Sequence, residues 1–153
     1  MLAFAAPELV RETLRYFETR FGVPPESFSA FAFLESGGAV WLVASSTRDA
    51  LPDGLRIEAA GVALVRRKKR GWKPTTAGLR VIGRWATRNV IELDRDQAAR
   101  FLARETIEGR YTTDGGFVIV RRGQEVLGCG LVSARGLESQ VPAALAVDRG
   151  PEA

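Results

Sequence analysis

The chain has 153 residues, 46% hydrophobic and 26% charged, which suits one domain of ordinary size or two small ones sharing an interface. It contains no histidine and one cysteine, Cys129, which excludes Ser-His and Cys-His nucleophile pairs, the usual structural zinc sites and an internal disulfide. The longest uncharged apolar run, residues 37–47, falls well short of the roughly 20 residues that span a bilayer.

Residues 7–20 are predicted to form a helix. Val10, Leu14, Phe17 and Phe21 recur at three- and four-residue spacing, while Arg11, Glu12, Arg15, Glu18 and Thr19 fall on the other side. Pro7 suits the first turn, and Gly22 followed by Pro24 and Pro25 ends the helix. The N-terminus lacks a basic lead-in before this pattern, so no signal peptide is expected. Residues 27–34 alternate phenylalanine with small residues, and Gly37-Gly38 makes a turn. Residues 39–44 then have the β-branched and aromatic content of a buried strand. A helix followed by a hairpin is expected. Residues 45–54 read as loop, with Pro52-Asp53-Gly54 as an explicit turn, and residues 55–66 as one or two further strands.

Those strands deliver the chain into its most lopsided stretch, Arg66-Arg67-Lys68-Lys69-Arg70-Gly71-Trp72-Lys73-Pro74, read as an exposed loop. No acidic residue lies between Glu58 and Glu92. Arg66, Arg67, Lys68, Lys69, Arg70, Lys73, Arg80, Arg84 and Arg88 place nine of the 22 basic residues there, leaving 13 basic against 18 acidic elsewhere, a net of −5. The formal +4 is thus a local basic block on a mildly acidic protein, the electrostatic footprint of a polyanion partner. Pro74-Thr75-Thr76 signals a helix start. A helix over 76–86 would put Leu79, Ile82 and Gly83 on one face and a ladder of Arg80, Arg84 and Arg88 on the other, with Trp85 belonging either to the core or to that face.

Residues 89–93 form a short strand, and Asp94 caps a helix running through Arg104, with Ala98, Phe101 and Leu102 inward. Gly115-Gly116 turns into a strand over 117–120. Arg121-Arg122-Gly123-Gln124 reads as a hairpin loop, residues 125–134 as its return strand, and residues 139–147 as one last extended piece. The tail, 148–153, has turn composition and is expected to fray.

The string from Thr87, Thr-Arg-Asn-Val-Ile-Glu-Leu-Asp-Arg-Asp-Gln-Ala-Ala-Arg-Phe-Leu-Ala-Arg-Glu-Thr-Ile, resembles the opening of a PUA-type domain. Gly116-Phe-Val-Ile-Val-Arg-Arg-Gly-Gln-Glu-Val-Leu-Gly-Cys-Gly-Leu-Val132 is similar to that fold's hairpin, whose return strand carries Gly-x-Gly between hydrophobic residues. Leu137-Glu-Ser-Gln-Val-Pro142 is similar to the last strand of the PUA-like modules appended to Nop/Sun-type RNA 5-methylcytosine methyltransferases. A Lys-Pro-Ser/Thr helix start precedes those modules, as Lys73-Pro74-Thr75 does here. The first half, with Tyr16-Phe17 and Phe21-Gly22-Val-Pro, is similar to the pre-PUA segment of small two-part ribosome-biogenesis factors. The resemblance implies an α+β fold, with an N-terminal pre-PUA-like unit of helix and antiparallel sheet over 1–86. This unit would pack on a PUA-like mixed β pseudo-barrel over 87–150. It also implies RNA binding without catalysis by the module. The methyltransferase's cofactor-binding sheet and catalytic cysteine motifs have no counterpart here, and Cys129, between two glycines, does not match them.

The residues expected to contact RNA are Arg66, Arg67, Lys68, Lys69, Arg70 and Lys73, with Arg80, Arg84, Arg88, Arg121 and Arg122 as further cations. Trp72 either stacks on an unpaired base or packs on the adjacent sheet. Asn89 is a base reader or, more simply, a turn residue. Glu92, Asp94 and Asp96 read as cap and surface residues rather than as a catalytic or metal-binding cluster, and Gly128 and Gly130 as relief of crowding in a curved strand. No catalytic residue, metal or cofactor is assigned. Structured RNA, ribosomal or transfer, is the expected partner, in ribosome biogenesis or RNA modification, with an RNA-modifying enzyme or assembly protein beside it. Neither DNA nor a membrane is expected, and a reducing cytoplasm fits the single cysteine. The alternative is a protein-interaction or accessory module of an RNA-modifying complex that does not touch RNA.

Overall fold

The computed structural model describes residues 3–46 and 61–146. Most of the expected loop over 45–54 and strands over 55–66, and the expected frayed tail, lie outside those residues. The chain begins with a short strand, β1 (Ala3–Phe4), and then the helix α1 (Pro7–Phe21). Pro7 sits in its first turn, and Gly22 closes it in the left-handed region at φ 65°, donating its N–H to the Glu18 carbonyl at 2.9 Å. The buried stripe runs through Leu9, Thr13, Phe17 and Phe21, with Val10 and Leu14 only at its margin. The inward face is therefore rotated from the expected one. Thr13 lies inside because its hydroxyl is satisfied by the Leu9 carbonyl at 2.7 Å, so its burial leaves no polar group unpaired.

A single 3-10 turn (Pro25–Phe28) follows, and Phe28 packs its ring against Phe17 and Phe33 from that turn rather than from a strand. The hairpin β2 (Phe31–Ser36) and β3 (Ala39–Ala44) turns at Gly37-Gly38, both at positive φ as a two-residue connection demands. β4 (Val62–Lys68) and β5 (Gly71–Pro74) complete an antiparallel sheet in the order β1-β2-β3-β4-β5. Helix α1 covers one face of this sheet, where Phe17, Phe21, Phe33, Val40, Leu42, Leu64 and Val65 close a shared core. Each fully buried aromatic or branched side chain there contributes roughly 1.5–3 kcal/mol.

The next helix, α2 (Thr76–Ile82), is capped by Thr75, whose side chain accepts from the Gly78 N–H at 2.8 Å. It stops at Ile82, well short of residue 86, and continues as a 3-10 turn (Gly83–Trp85). Strand β6 (Val90–Glu92) leads to α3 (Arg95–Leu102), where Asp94 and Gln97 form a reciprocal capping box. α3 ends two residues before the expected Arg104, which adopts φ 66°.

β7 (Gly116–Arg122) runs parallel to β6 and antiparallel to β8 (Glu125–Ser133), which pairs with β9 (Gly136–Ser139). Arg121 and Arg122 thus belong to β7, and only Gly123 and Gln124 turn the hairpin. The expected extended piece over 139–147 divides into the end of β9 and a 3-10 turn (Ala143–Leu145). The fold is α+β, with two mostly antiparallel sheets.

α2 is packed between the sheets. A Cβ on Gly78 would lie 2.7 Å from the Leu64 Cα, and one on Gly128 would lie 2.8 Å from Thr76 Cγ2. The absence of a side chain at both positions is what lets the helix touch β4 on one side and β8 on the other. Gly130 has the same role toward Leu137, 2.6 Å from where its Cβ would stand. Ile119 and Cys129 of the second sheet join the core built around α1, while Ile91, Phe101, Val118, Val120, Leu127 and Leu137 form a second core beneath α3.

Candidate nucleic-acid interface

The basic block is a β-hairpin, not a loop. Its strands hold Arg66, Arg67 and Lys68 on β4 and Trp72 and Lys73 on β5, with Lys69 and Arg70 at the turn. Register sorts these residues by face, because directly opposed residues of an antiparallel pair point the same way. Arg66 opposes Lys73 and Lys68 opposes Gly71, whereas Arg67 opposes Trp72. Strand geometry therefore does what a loop would not: it sets Arg66, Lys68 and Lys73 on one face and a single arginine beside a tryptophan on the other.

On the first face, Arg66, Lys68 and Lys73 line a cavity of about 310 Å³ whose opposite wall is Gln140, Pro142 and Leu145, beyond the second sheet's last strand. Arg66, Lys68, Lys69 and Arg70 are exposed and have no ion-pair partner among the described residues. Lys73 is half-buried and holds its ammonium 5.7 Å from the centre of the Phe117 ring. On the other face, Arg67 is paired with Glu35 at 3.0 Å. Trp72 is half-buried, its ring centre 5.3 Å from that of Tyr16 on α1. Trp72 thus packs against the helix, and with Tyr16 it lines an open groove.

The expected cationic ladder does not form, because α2 ends at Ile82, before its second rung. Arg80 Nε donates to the Leu127 carbonyl at 3.0 Å, tying α2 to β8. Arg84 stacks on Trp85 with its guanidinium 4.2 Å from the ring centre. Arg88 Nη2 donates to the Glu18 carbonyl at 3.2 Å, at the foot of α1. Arg121 pairs with Glu92 at 3.1 Å and also donates to the Ala86 carbonyl at 3.3 Å, so its charge is spent within the fold. Arg122 is exposed at the end of β7, in the second sheet, whereas the basic hairpin belongs to the first.

Asn89 is a turn residue. It adopts φ 52°, accepts the Asp114 N–H at 2.9 Å and donates to the Arg20 carbonyl at 2.8 Å. The acidic residues are likewise engaged in structure: Glu92 also accepts the Gly123 N–H at 3.1 Å, and Asp94 caps α3. Among the described residues, no group of three or more His, Cys, Asp or Glu side chains is placed to hold a metal. Burial pushes the Cys129 thiol up to about 12, with Lys73 opposing the shift, and so keeps it protonated.

Residues beyond the basic stretch enter the interface only through folding. Gln140, Pro142 and Leu145 carry no charge signal and reach the cavity because the second sheet ends against α2. Arg20 reads as an ordinary helix-terminal cation, yet its guanidinium donates to the Gly115 and Phe117 carbonyls at 2.5 and 2.6 Å and fastens α1 to β7.

Residues 88–146 match the family model of the methyltransferase RsmF PUA domain. That segment of the chain is a PUA-like domain. It comprises β6 to β9 with α3, agrees with the α+β architecture and associates the protein with RNA binding or RNA modification. Residues 8–61 match a family of unknown function, DUF7122. No curated protein shows a significant match to the chain. The cavity beside the basic hairpin is thus walled by the PUA-like domain on one side and by the sheet that precedes it on the other.

Proposed function

We propose that the protein is a non-catalytic RNA-binding protein that takes structured RNA, such as ribosomal or transfer RNA, in the basic groove between hairpin β4–β5 and the PUA-like domain. One observation carries this reading. Arg66 and Lys68, exposed and without an ion-pair partner among the described residues, line with Lys73 a cavity whose other lining includes Gln140, Pro142 and Leu145, and Lys69 and Arg70 extend the exposed basic run at the hairpin turn. Cations held on a strand are spaced at about 6.6–7 Å between alternate residues, commensurate with successive phosphates of a nucleic-acid strand. Recognition is by backbone and shape, since the deep groove of duplex RNA exposes little sequence to side chains.

In this reading the 1–86 and 87–150 units act together, in the cytoplasm, during ribosome biogenesis or RNA modification, beside a separate catalytic partner where chemistry is required. The absence of histidine, the protonated and buried Cys129 and the structural engagement of Glu92 and Asp94 support a non-catalytic role.

The test is equilibrium binding to total ribosomal and transfer RNA across a salt series. The expected log–log slope is negative, by roughly 0.7–0.9 per neutralised phosphate. Replacing Arg66, Lys68, Lys69 and Arg70 together by glutamine is expected to flatten it by about three units. No affinity at low salt, or an unchanged slope in the quadruple variant, overturns the reading.

A further inference from the structure

We infer that the groove between α1 and β5 is a pocket for one unpaired nucleobase, so that the protein selects RNA in which a duplex adjoins a single-stranded nucleotide. This rests on the RNA reading above and adds a second site on the other face of the same hairpin. The groove measures about 550 Å³ and is lined by Glu12, Arg15, Tyr16, Thr19, Arg20, Trp72 and Asp114.

The floor of the groove is aromatic: Trp72 and Tyr16 lie side by side, their planes 38° apart. The Tyr16 hydroxyl is pushed up to about 12, chiefly by burial, so it stays a neutral group throughout the physiological range. The rim has both signs of charge and both hydrogen-bonding senses. Arg15 and Thr19 supply donors and Glu12 supplies acceptors, and none of the three has a side-chain partner among the described residues. Asp114 receives one bond from Asn89 Nδ2 at 3.1 Å, on one oxygen, and keeps the other free.

A flat aromatic surface with donors and acceptors at its edge and no net charge excess complements a neutral heteroaromatic ring. A phosphate or a hydrocarbon chain would leave the carboxylates or the arginines unmatched. The nucleobase is the ring that a nearby polyanion-binding row would bring with it. β5 ends its sheet, so nothing in the sheet obstructs passage from the Arg66, Lys68 and Lys73 face to the Trp72 face. A duplex held by its phosphates on one face can therefore send its first unpaired nucleotide over the edge of β5 to stack on Trp72.

The experiment compares a blunt RNA duplex of about 16 base pairs with the same duplex carrying a short single-stranded overhang. It uses the full chain, in Trp72 wild-type, Trp72→Phe and Trp72→Leu forms, with thermal unfolding as the folding control. The overhang is expected to tighten binding about tenfold in wild type, most of this is retained in Trp72→Phe, and it is lost in Trp72→Leu. In wild type, the indole N–H resonance of Trp72 is expected to shift with the overhang duplex alone, while those of Trp41 and Trp85 stay in place. Equal affinities, a preference that survives Trp72→Leu, or an unmoved Trp72 resonance at saturation removes the base pocket and leaves the basic groove standing. Salt-insensitive or absent binding to both duplexes removes the two together.

Discussion

Gly78 shows how much of this fold depends on single atoms. A methyl group there would meet the Leu64 Cα at 2.7 Å and its carbonyl oxygen at 2.9 Å, both backbone atoms that no rotamer change can move aside. Helix propensity favours alanine over glycine by up to about 1 kcal/mol, but overpacking against a rigid strand costs about 1–3 kcal/mol and wins. Gly78→Ala is therefore expected to lower the urea midpoint, and an unchanged or raised midpoint would contradict the close contact of α2 with β4.

Two buried acids set the alkaline limit. Cys129 is raised from 9.0 to about 12 and Tyr16 from 10.0 to about 12, both mainly by loss of solvent. Above pH 9 the unfolded chain releases protons that the folded chain retains, so stability falls as pH rises. The contribution is complete below about pH 9 and is lost by about pH 12. Cys129→Ala is expected to remove the decline between about pH 9 and 10 and to make it shallower from there to about pH 12, and Tyr16→Phe to make it shallower only above about pH 10. Urea titrations at successive pH values measure this, and variant profiles parallel to wild type would exclude both groups as its source.

At the scale of elements, hairpin β4–β5 was legible in composition but not in form. Five cations in a row suggest a solvated loop, because like charges repel in any regular arrangement. The first three are tolerated in β4 because alternation points neighbours to opposite faces and Glu35 neutralises Arg67 from β2, and the last two fall at the turn. Arginines 80, 84 and 88 were misleading in the opposite direction. A four-residue period implies a ladder only while the helix lasts, and α2 gives way to a 3-10 turn at Gly83, where even a Cβ would crowd Val126 at 3.2 Å. Their charges then serve the Leu127 carbonyl, the Trp85 ring and the Glu18 carbonyl.

The two groups of cations should therefore behave differently. Arg84→Gln and Arg88→Gln are expected to leave the salt slope of RNA binding within about 0.3 of wild type, whereas Arg66→Gln and Lys68→Gln each reduce it by about 0.7–0.9. A uniform loss across all four would mean a diffuse electrostatic surface in place of a groove. α3 was the most readable element, since Asp94 and Gln97 stand at capping-box spacing. Asp94→Ala is expected to cost about 1 kcal/mol in denaturant unfolding.

At the scale of the whole molecule, the N-terminal sheet and the PUA-like domain are held together by α2, by the Arg20 guanidinium on β7 and by Asn89 between α1 and Asp114. Arg20→Met keeps most of the side chain's bulk but leaves the Gly115 and Phe117 carbonyls unpaired, at a cost of about 1–3 kcal/mol. The expected result is one cooperative thermal transition at lower temperature, reported alike by Trp72 fluorescence and by far-ultraviolet circular dichroism. Two separated transitions in wild type would show that the sheets unfold independently.

What the sequence determines by itself is local: the first helix and its Gly22 stop, the Gly37-Gly38 and Gly115-Gly116 turns, the Asp94 cap, the glycine relief at Gly128 and Gly130, and the basic bias of residues 66–88. These follow from conformational preference and charge, which act over a few residues. Only the tertiary structure decides which of the cations remain unpaired and which residues face them. An ion pair such as Arg67–Glu35, an anchor such as Arg20 on β7 and a cavity wall such as Gln140 depend on contacts between segments that no spacing rule connects.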